Sequence, residues 1–386
     1  MKDLNWNQTC NKDFHAAPKD RKHIILMDGT WNDETGVCLD GLVTNIVNLS
    51  RVFPSNEKDQ IVRYHRGVGN DNDNNKFYNI FRGVTGKGVR KIVDDAYARF
   101  VQDWQVGDTI YIFGFSRGAA GARMLASKIA AEGIPSSITV SIRPRANKET
   151  NVIEQIITDV VTTGSPATNH KVDVEFLGVW DTVSSLGFPN VLLRFFGRGL
   201  NDLFTNNHIA PNILRAVHLV AIDETRNPFV PSLMNQKEGV VHEVWFPGVH
   251  SDIGGSYPED SVAKVSLHYM FKKLFEWNAQ RGLPGFVIDE EQYARHTAEK
   301  IDKTYFHFHG DSHGEDLRSI GVQVNGVIDR TLVPKIHDLY NEACKSKEVY
   351  SVVCQEKDDV VETRYIQFQY MPFNVKVLNG KFEVVK

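Results

Sequence analysis

Thr109-Ile110-Tyr111-Ile112-Phe113-Gly114-Phe115-Ser116-Arg117-Gly118-Ala119-Ala120 is the stretch whose reading decides the fold. Its first five residues are β-branched or aromatic on both parities, which suits a central parallel strand covered on both faces. Ala119, Ala120, Ala122, Leu125, Ala126, Ile129 and Ala130 then mark a helix that begins just past Ser116. A G-x-S-x-G pentapeptide between a strand and a helix is the setting in which a serine hydroxyl is held out on a sharp, strained turn. Gly114 and Gly118 have a steric reason, because a Cβ at either place would collide with the neighbouring strand or helix. The helix also aims its first N–H groups and its positive dipole end at any anion that develops on a group bound to Ser116.

Outward from this centre, apolar runs alternate with helical patterns. His23 to Met27 reads as a buried strand ending at Asp28-Gly29-Thr30, and Ile61 to His65 as a second strand running into the Gly- and Asn-rich loop from Gly67 to Asn75. Gly88 to Trp104 repeats apolar residues at three- and four-residue steps, so it predicts a helix with one buried face. Val174 to Trp180, Ala216 to Ile222 and Val241 to Phe246 read as further strands, and Val262 to Trp277 as another helix. The alternation predicts an α/β-hydrolase-like fold, with a mainly parallel central sheet, helices on both faces and chemistry beyond the carboxyl ends of the strands. Residues 1–21 are expected to be a loose N-terminal segment, 22–283 the catalytic domain, and 284–386 a C-terminal extension packed on that domain. The end of the extension, Phe373 to Val385, has Asn379-Gly380 between two alternating runs and predicts a β-hairpin.

Composition excludes several classes. Hydrophobic residues at 41% and charged residues at 24% fit a folded globular chain rather than a disordered one. With 44 Lys+Arg against 48 Asp+Glu the net charge is −4, and no basic block marks a nucleic-acid partner. Cys10, Cys38, Cys344 and Cys354 are scattered without a Cys-x-x-Cys pair, so neither a zinc ribbon nor a disulfide framework is expected. No apolar run reaches the roughly 18 residues of a membrane span, and Met1 to Trp6 is too polar for a secretory signal. The expectation is a soluble protein made in the cytoplasm, which reaches any lipid from the water side as a peripheral contact. Gly83-Val84-Thr85-Gly86-Lys87-Gly88 fails as a phosphate-binding loop because Gly, not Ser or Thr, follows Lys87, and no cofactor is expected.

A serine hydroxyl needs an adjacent imidazole to take its proton, and the imidazole needs a carboxylate to fix its tautomer. Of fourteen histidines, His250 follows an apolar strand in a Gly-flanked turn and is the leading base; His218 lies mid-strand as a satisfied core histidine, and His268 within a helix. Asp181 and Asp223 both end strands between Ser116 and His250, so either can be the acid. Asp252 is too close to His250 in sequence to reach the far imidazole nitrogen and reads as a turn group. The oxyanion hole is expected from the N–H of Arg117 and of Gly29 or Thr30, with Asp28 holding that turn through its side chain.

Four blocks together carry a resemblance: Met27-Asp28-Gly29-Thr30-Trp31-Asn32, Ile112-Phe113-Gly114-Phe115-Ser116-Arg117-Gly118-Ala119, Phe176-Leu177-Gly178-Val179-Trp180-Asp181-Thr182-Val183, and Trp245-Phe246-Pro247-Gly248-Val249-His250-Ser251-Asp252-Ile253-Gly254-Gly255. In this order, from residue 22 to about 280, the chain resembles the catalytic domain of type VI secretion lipase effectors. The resemblance implies a serine hydrolase with Ser116 as nucleophile, Asp181 as orienting acid and His250 as base, cleaving acyl esters of phospholipids or other lipids. It also implies contact-dependent export, with a delivery protein and an immunity protein as partners. Two rival readings stand beside it. Phe306-His307-Phe308-His309-Gly310-Asp311-Ser312-His313 offers His307, His309, Asp311 and His313 as ligands for a metal-dependent hydrolase, although the spacing is one residue off the familiar arrangement. The other rival is a hydrolase fold kept as a non-catalytic binding module. Residues from about 134 to 171 and 184 to 214 are expected to form lids or pocket walls, and Phe188, Leu192, Leu193, Phe195 and Phe196 to provide an apolar acyl channel or a membrane-facing patch.

Overall fold

The computed structural model describes residues 6–29, 43–67, 86–146, 153–183, 209–226, 229–301, 306–309, 317–347, 349–357 and 360–386. Among them, one sheet is built from β1 (Lys22–Met27), β2 (Gln60–His65), β3 (Thr109–Phe115), β4 (Phe176–Trp180), β5 (Ala216–Ala221), β6 (Val241–Phe246), β7 (Lys335–His337) and β8 (Glu383–Val385). The strand order is β8-β7-β6-β5-β4-β3-β1-β2, and every neighbouring pair is parallel. The fold is α/β-hydrolase-like.

Alternation along β1, β3 and β4 sorts their side chains into two clusters, one on each face of the sheet. Ile25, Met27, Ile110, Ile112, Leu177 and Val179 face α2 (Gly86–Asp103) and α3 (Arg117–Glu132) in one cluster. Ile24, Leu26, Tyr111, Phe113, Phe176 and Trp180 face α1 (Asn45–Val52) and, past α4 (His250–Gly254), α5 (Ser261–Gln280) in the other. Both faces are therefore buried, which is why these strands read as continuous apolar runs rather than alternating ones. A fully buried side chain of this size contributes about 1.5–3 kcal/mol, and Trp180, Tyr111 and Phe113 are each 0% exposed. The layering brings the carboxyl ends of β1, β3, β4, β5 and β6 to one rim.

Three expectations change. Residues 6–11, placed in the loose N-terminal segment, form a strand (Trp6–Asn11) that pairs antiparallel with Ser137–Ala146, itself paired with Ile153–Thr163. Lys12 anchors this end, donating from Nζ to the Gln102 and Trp104 carbonyls where α2 stops, the terminal acceptors that a helix cannot satisfy itself. The same ribbon occupies most of the described part of 134–171. It packs beside the C-terminal end of α2 at the amino ends of the strands, so it does not wall the pocket at the opposite rim.

The C-terminal hairpin is also displaced. Phe373–Lys376 is a helical turn, and Glu383–Val385 is β8, which adds parallel to the edge of β7. A strand that completes a large sheet satisfies its backbone better than one arm of an isolated hairpin, which is marginal on its own. The extension forms its hairpins elsewhere. Val322–Val324 pairs with Val327–Asp329 across Asn325-Gly326, whose φ values are 50° and 81°, and Val349–Lys357 pairs with Val360–Gln367.

Candidate active site

Ser116 lies between β3 and α3 with φ 58°, a backbone region that non-glycine residues occupy only when the surroundings impose it. The surroundings here are specific. The Ser116 N–H donates to the Trp180 carbonyl at 3.1 Å, tying the turn to the end of β4. A Cβ on Gly114 would stand 2.6 Å from the Gly118 carbonyl oxygen and 2.7 Å from Ala119 Cα. One on Gly118 would run into the carbonyl oxygens of Met27 and Asp28. The two glycines therefore let strand and helix close on the serine.

Asp181 is the first residue after β4 and His250 opens α4 just beyond β6. The two meet with His250 Nδ1 2.6 Å from Asp181 Oδ2. An ionised carboxylate only accepts, so Nδ1 carries the proton and Nε2 is left basic. The imidazole packs on Phe115, the residue before Ser116, at 4.6 Å between ring centres, and Phe229 meets it edge-on at 4.8 Å. Gly254 makes room for the Phe115 ring, which a Cβ there would strike. No Ser116–His250 hydrogen bond is present among the described residues. Burial pushes the His250 pKa down, against the opposing pull of Asp181 and Glu224, and favours the neutral base. Burial alone would raise the Asp181 carboxyl, but the Arg318 charge and the bonds from Arg318 and His250 hold it well below the usual carboxylate range. Asp181 also has a positive φ, 37°.

Asp223 does not reach the imidazole. Its Oδ2 accepts from Gly248 N at 2.6 Å and from Tyr370 Oη at 2.7 Å, so it staples the turn that leads to His250. Burial pushes its pKa up to about 7, reinforced by the Asp252 charge and resisted by the Tyr370 and Gly248 bonds. Asp252 accepts from Val249 N at 2.9 Å, a contact within the turn. His218 is fully buried: Thr182 N donates to Nε2 at 3.1 Å, and Nδ1 lies 2.8 Å from Glu243 Oε2, which steadies the backbone just past Asp181.

At the end of β1, Asp28 accepts from Thr44 Oγ1 at 2.8 Å and Tyr64 Oη at 2.6 Å. It also takes the Gly29 N–H at 2.7 Å, so that amide is already engaged, and Thr30 lies outside the described residues. Arg117 is the first residue of α3, at the helix end where N–H groups lack intrahelical acceptors.

Sequence reading missed two groups. Glu224 accepts from Arg226 Nε and Nη2 at 2.9 and 2.7 Å and meets the His250 N–H at 3.4 Å. Arg318, from the C-terminal extension, binds both oxygens of Asp181 at 2.6 and 2.9 Å. Nothing local marks Arg318; the signal available was only the demand of a buried carboxylate for a cation.

His307 and His309 lie on a strand (Phe306–His309), while Asp311 and His313 fall outside the described residues, as do Phe188, Leu192, Leu193, Phe195 and Phe196. Among the described residues no cluster of three His, Cys, Asp or Glu is placed to hold a metal ion, and no helix is long and apolar enough to cross a membrane.

Comparison with known proteins gives one family: T6SS, phospholipase effector Tle1-like, catalytic domain, which matches residues 21–273. The uncharacterized protein YEL023C of Saccharomyces cerevisiae is 25% identical over 224 residues, covering 50% of this chain and 31% of that protein. An uncharacterized protein from Pseudomonas aeruginosa is similar in its crystal structure, with 17% identity, 71% of this chain and 47% of that chain covered, and a TM-score of 0.41. A Tle1 effector bound to the VgrG spike of the type 6 secretion system is 23% identical, with 64% and 53% covered and a TM-score of 0.35. This chain thus spans from about a third to about half the length of these proteins.

Proposed function

The chain belongs to the family of T6SS Tle1-like phospholipase effector catalytic domains, and from that premise we propose that it hydrolyses carboxylic esters, acyl esters of phospholipids being the substrate class, through Ser116, Asp181 and His250. The observation that carries the reading is the 2.6 Å contact between His250 Nδ1 and Asp181, on an imidazole packed against the residue that precedes Ser116.

His250 Nε2 takes the proton as Ser116 Oγ attacks the ester carbonyl. Asp181 stays ionised and steadies the imidazolium. The Arg117 N–H and the end of α3 meet the oxyanion, with a second donor from the Gly29-Thr30 turn once the Gly29 amide leaves Asp28 or the Thr30 amide serves instead. His250 returns the proton to the leaving alcohol, then activates the water that releases the fatty acid and frees Ser116.

The family also suggests the setting: delivery by a type VI secretion apparatus, peripheral contact with the target membrane, and an immunity protein that protects the producer. The test is fatty-acid release from phospholipid vesicles, with fluorophosphonate labelling, for wild type and Ser116→Ala. The variant is expected to lose kcat on the order of 10³- to 10⁶-fold with folding intact, and chelator is expected to change neither protein. Full activity in Ser116→Ala would overturn the assignment; loss on chelation would turn attention to His307, His309, Asp311 and His313.

A further inference from the structure

We infer that Arg318 is a positioning residue for the Asp181–His250 pair, holding the carboxylate in register with the imidazole and offsetting its charge. The inference rests on the triad proposed above and assigns a role in it to the C-terminal extension, beyond the residues 21–273 that match the family.

Asp181 is saturated. Oδ1 accepts from Arg318 Nη1 at 2.6 Å and Ala221 N at 3.0 Å; Oδ2 accepts from Arg318 Nη2 at 2.9 Å and His250 Nδ1 at 2.6 Å. Both guanidinium Nη groups are committed further, while the buried Nε has no partner among the described residues. Nη1 also donates to the Ala221 carbonyl at 2.9 Å, and Nη2 to the Phe229 carbonyl. Its planar fork thus joins the acid after β4, the end of β5 and the segment whose Phe229 ring borders His250. Asn374 Nδ2 holds the extension down, donating to the carbonyls of Ile222 at 2.9 Å and Arg318 at 3.4 Å. The Arg318 side chain is 4% exposed. A buried ion pair is weak evidence for stability, because desolvation offsets much of the attraction. What the bidentate fork supplies is orientation, which a lysine cannot reproduce.

The charged groups around His250 are Asp181 beyond β4, Asp223, Glu224 and Arg226 beyond β5, Asp252 on its own turn, and Arg318. Arg226 pairs with Glu224 as Arg318 pairs with Asp181. Removing Arg318 leaves an unbalanced anion beside the imidazole, which favours the protonated ring.

The experiment is a pH profile of kcat/KM on a water-soluble ester for wild type, Arg318→Met, Arg318→Lys, Asp181→Asn and Asp181→Asn/Arg318→Met, with folding checked by circular dichroism. Arg318→Met is expected to lose kcat about 10²-fold, the scale of a misplaced catalytic group, with KM nearly constant. Its acidic limb should move to higher pH by about one unit. Arg318→Lys, which keeps the charge but not the fork, should keep the limb near its wild-type position while kcat stays low. In the Asp181→Asn background, adding Arg318→Met should cost less than about threefold, since the carboxylate is already gone. If Arg318→Met does not fold, Arg318→Lys carries the test through kcat. Folded Arg318 variants with wild-type kcat and an unmoved limb would overturn the inference while Ser116→Ala stays inactive. Activity retained by Ser116→Ala and Asp181→Asn would instead remove the triad itself.

Discussion

Asp181 and Asp223 are carboxylates at the ends of adjacent strands, β4 and β5, and chemistry separates them by what each oxygen touches. Asp181 presents an oxygen to His250 Nδ1, whereas the Asp223 oxygen serves Gly248 N and Tyr370 Oη. Asp181→Asn should therefore lose kcat by about 10⁴, the cost of the wrong imidazole tautomer, while Asp223→Asn should remain within about tenfold of wild type because its oxygen serves Gly248 N and Tyr370 Oη rather than the imidazole. Steady-state kinetics of the two variants checks this; comparable losses would assign the acid wrongly. Sequence left these residues tied, since both follow apolar runs, and the tie was broken by resemblance rather than by local pattern. Arg318 was illegible for a different reason. It stands 137 residues from Asp181, and no periodicity encodes a partner that only tertiary closure supplies.

At the scale of elements, the junction of β3 and α3 fits most tightly. Gly118→Ala would drive a methyl into the Met27 and Asp28 carbonyls at the end of β1. We expect a loss of about 1–3 kcal/mol in stability, as in other overpacked sites, together with reduced activity because the helix end must shift. Urea denaturation beside the ester assay reads both. This junction was legible in the sequence: a strand apolar on both parities, two glycines at fixed offsets and an alanine-rich helix all agree. The C-terminal elements were not. Asn325-Gly326 and Asn379-Gly380 both adopt positive φ, yet the first closes a hairpin and the second precedes β8, which leaves for the edge of β7. A turn dipeptide specifies a local bend, and the partner of the strand after it is decided by whichever sheet edge is open.

For the whole molecule, buried titratable groups set the response to acid. Burial pushes the pKa of His65 down to about 4 and those of His242 and His337 down to about 3. A histidine with a depressed folded pKa contributes stability that is present above its unfolded value of about 6.5 and lost as pH falls through the folded value. Asp223 works the other way: its pKa, raised to about 7, makes its contribution fullest below the unfolded value and spends it as pH rises through 7. These three, joined by His23, His250, His268 and His296, whose pKa values burial also lowers, outweigh Asp223, so denaturant midpoints should fall between pH 7 and pH 4, and Asp223→Asn should steepen that fall. A midpoint that rises over this range would contradict the balance.

Ser116 and Asp181 also share the left-handed backbone noted above, with φ of 58° and 37°. Ser116→Gly relaxes the first of these at the cost of the hydroxyl. Such strain is worth roughly 1–3 kcal/mol, so the silenced variant should melt later than its parent. Evolutionary drift toward greater robustness would then lead away from function, and an inactive descendant of this fold need not be a decayed one.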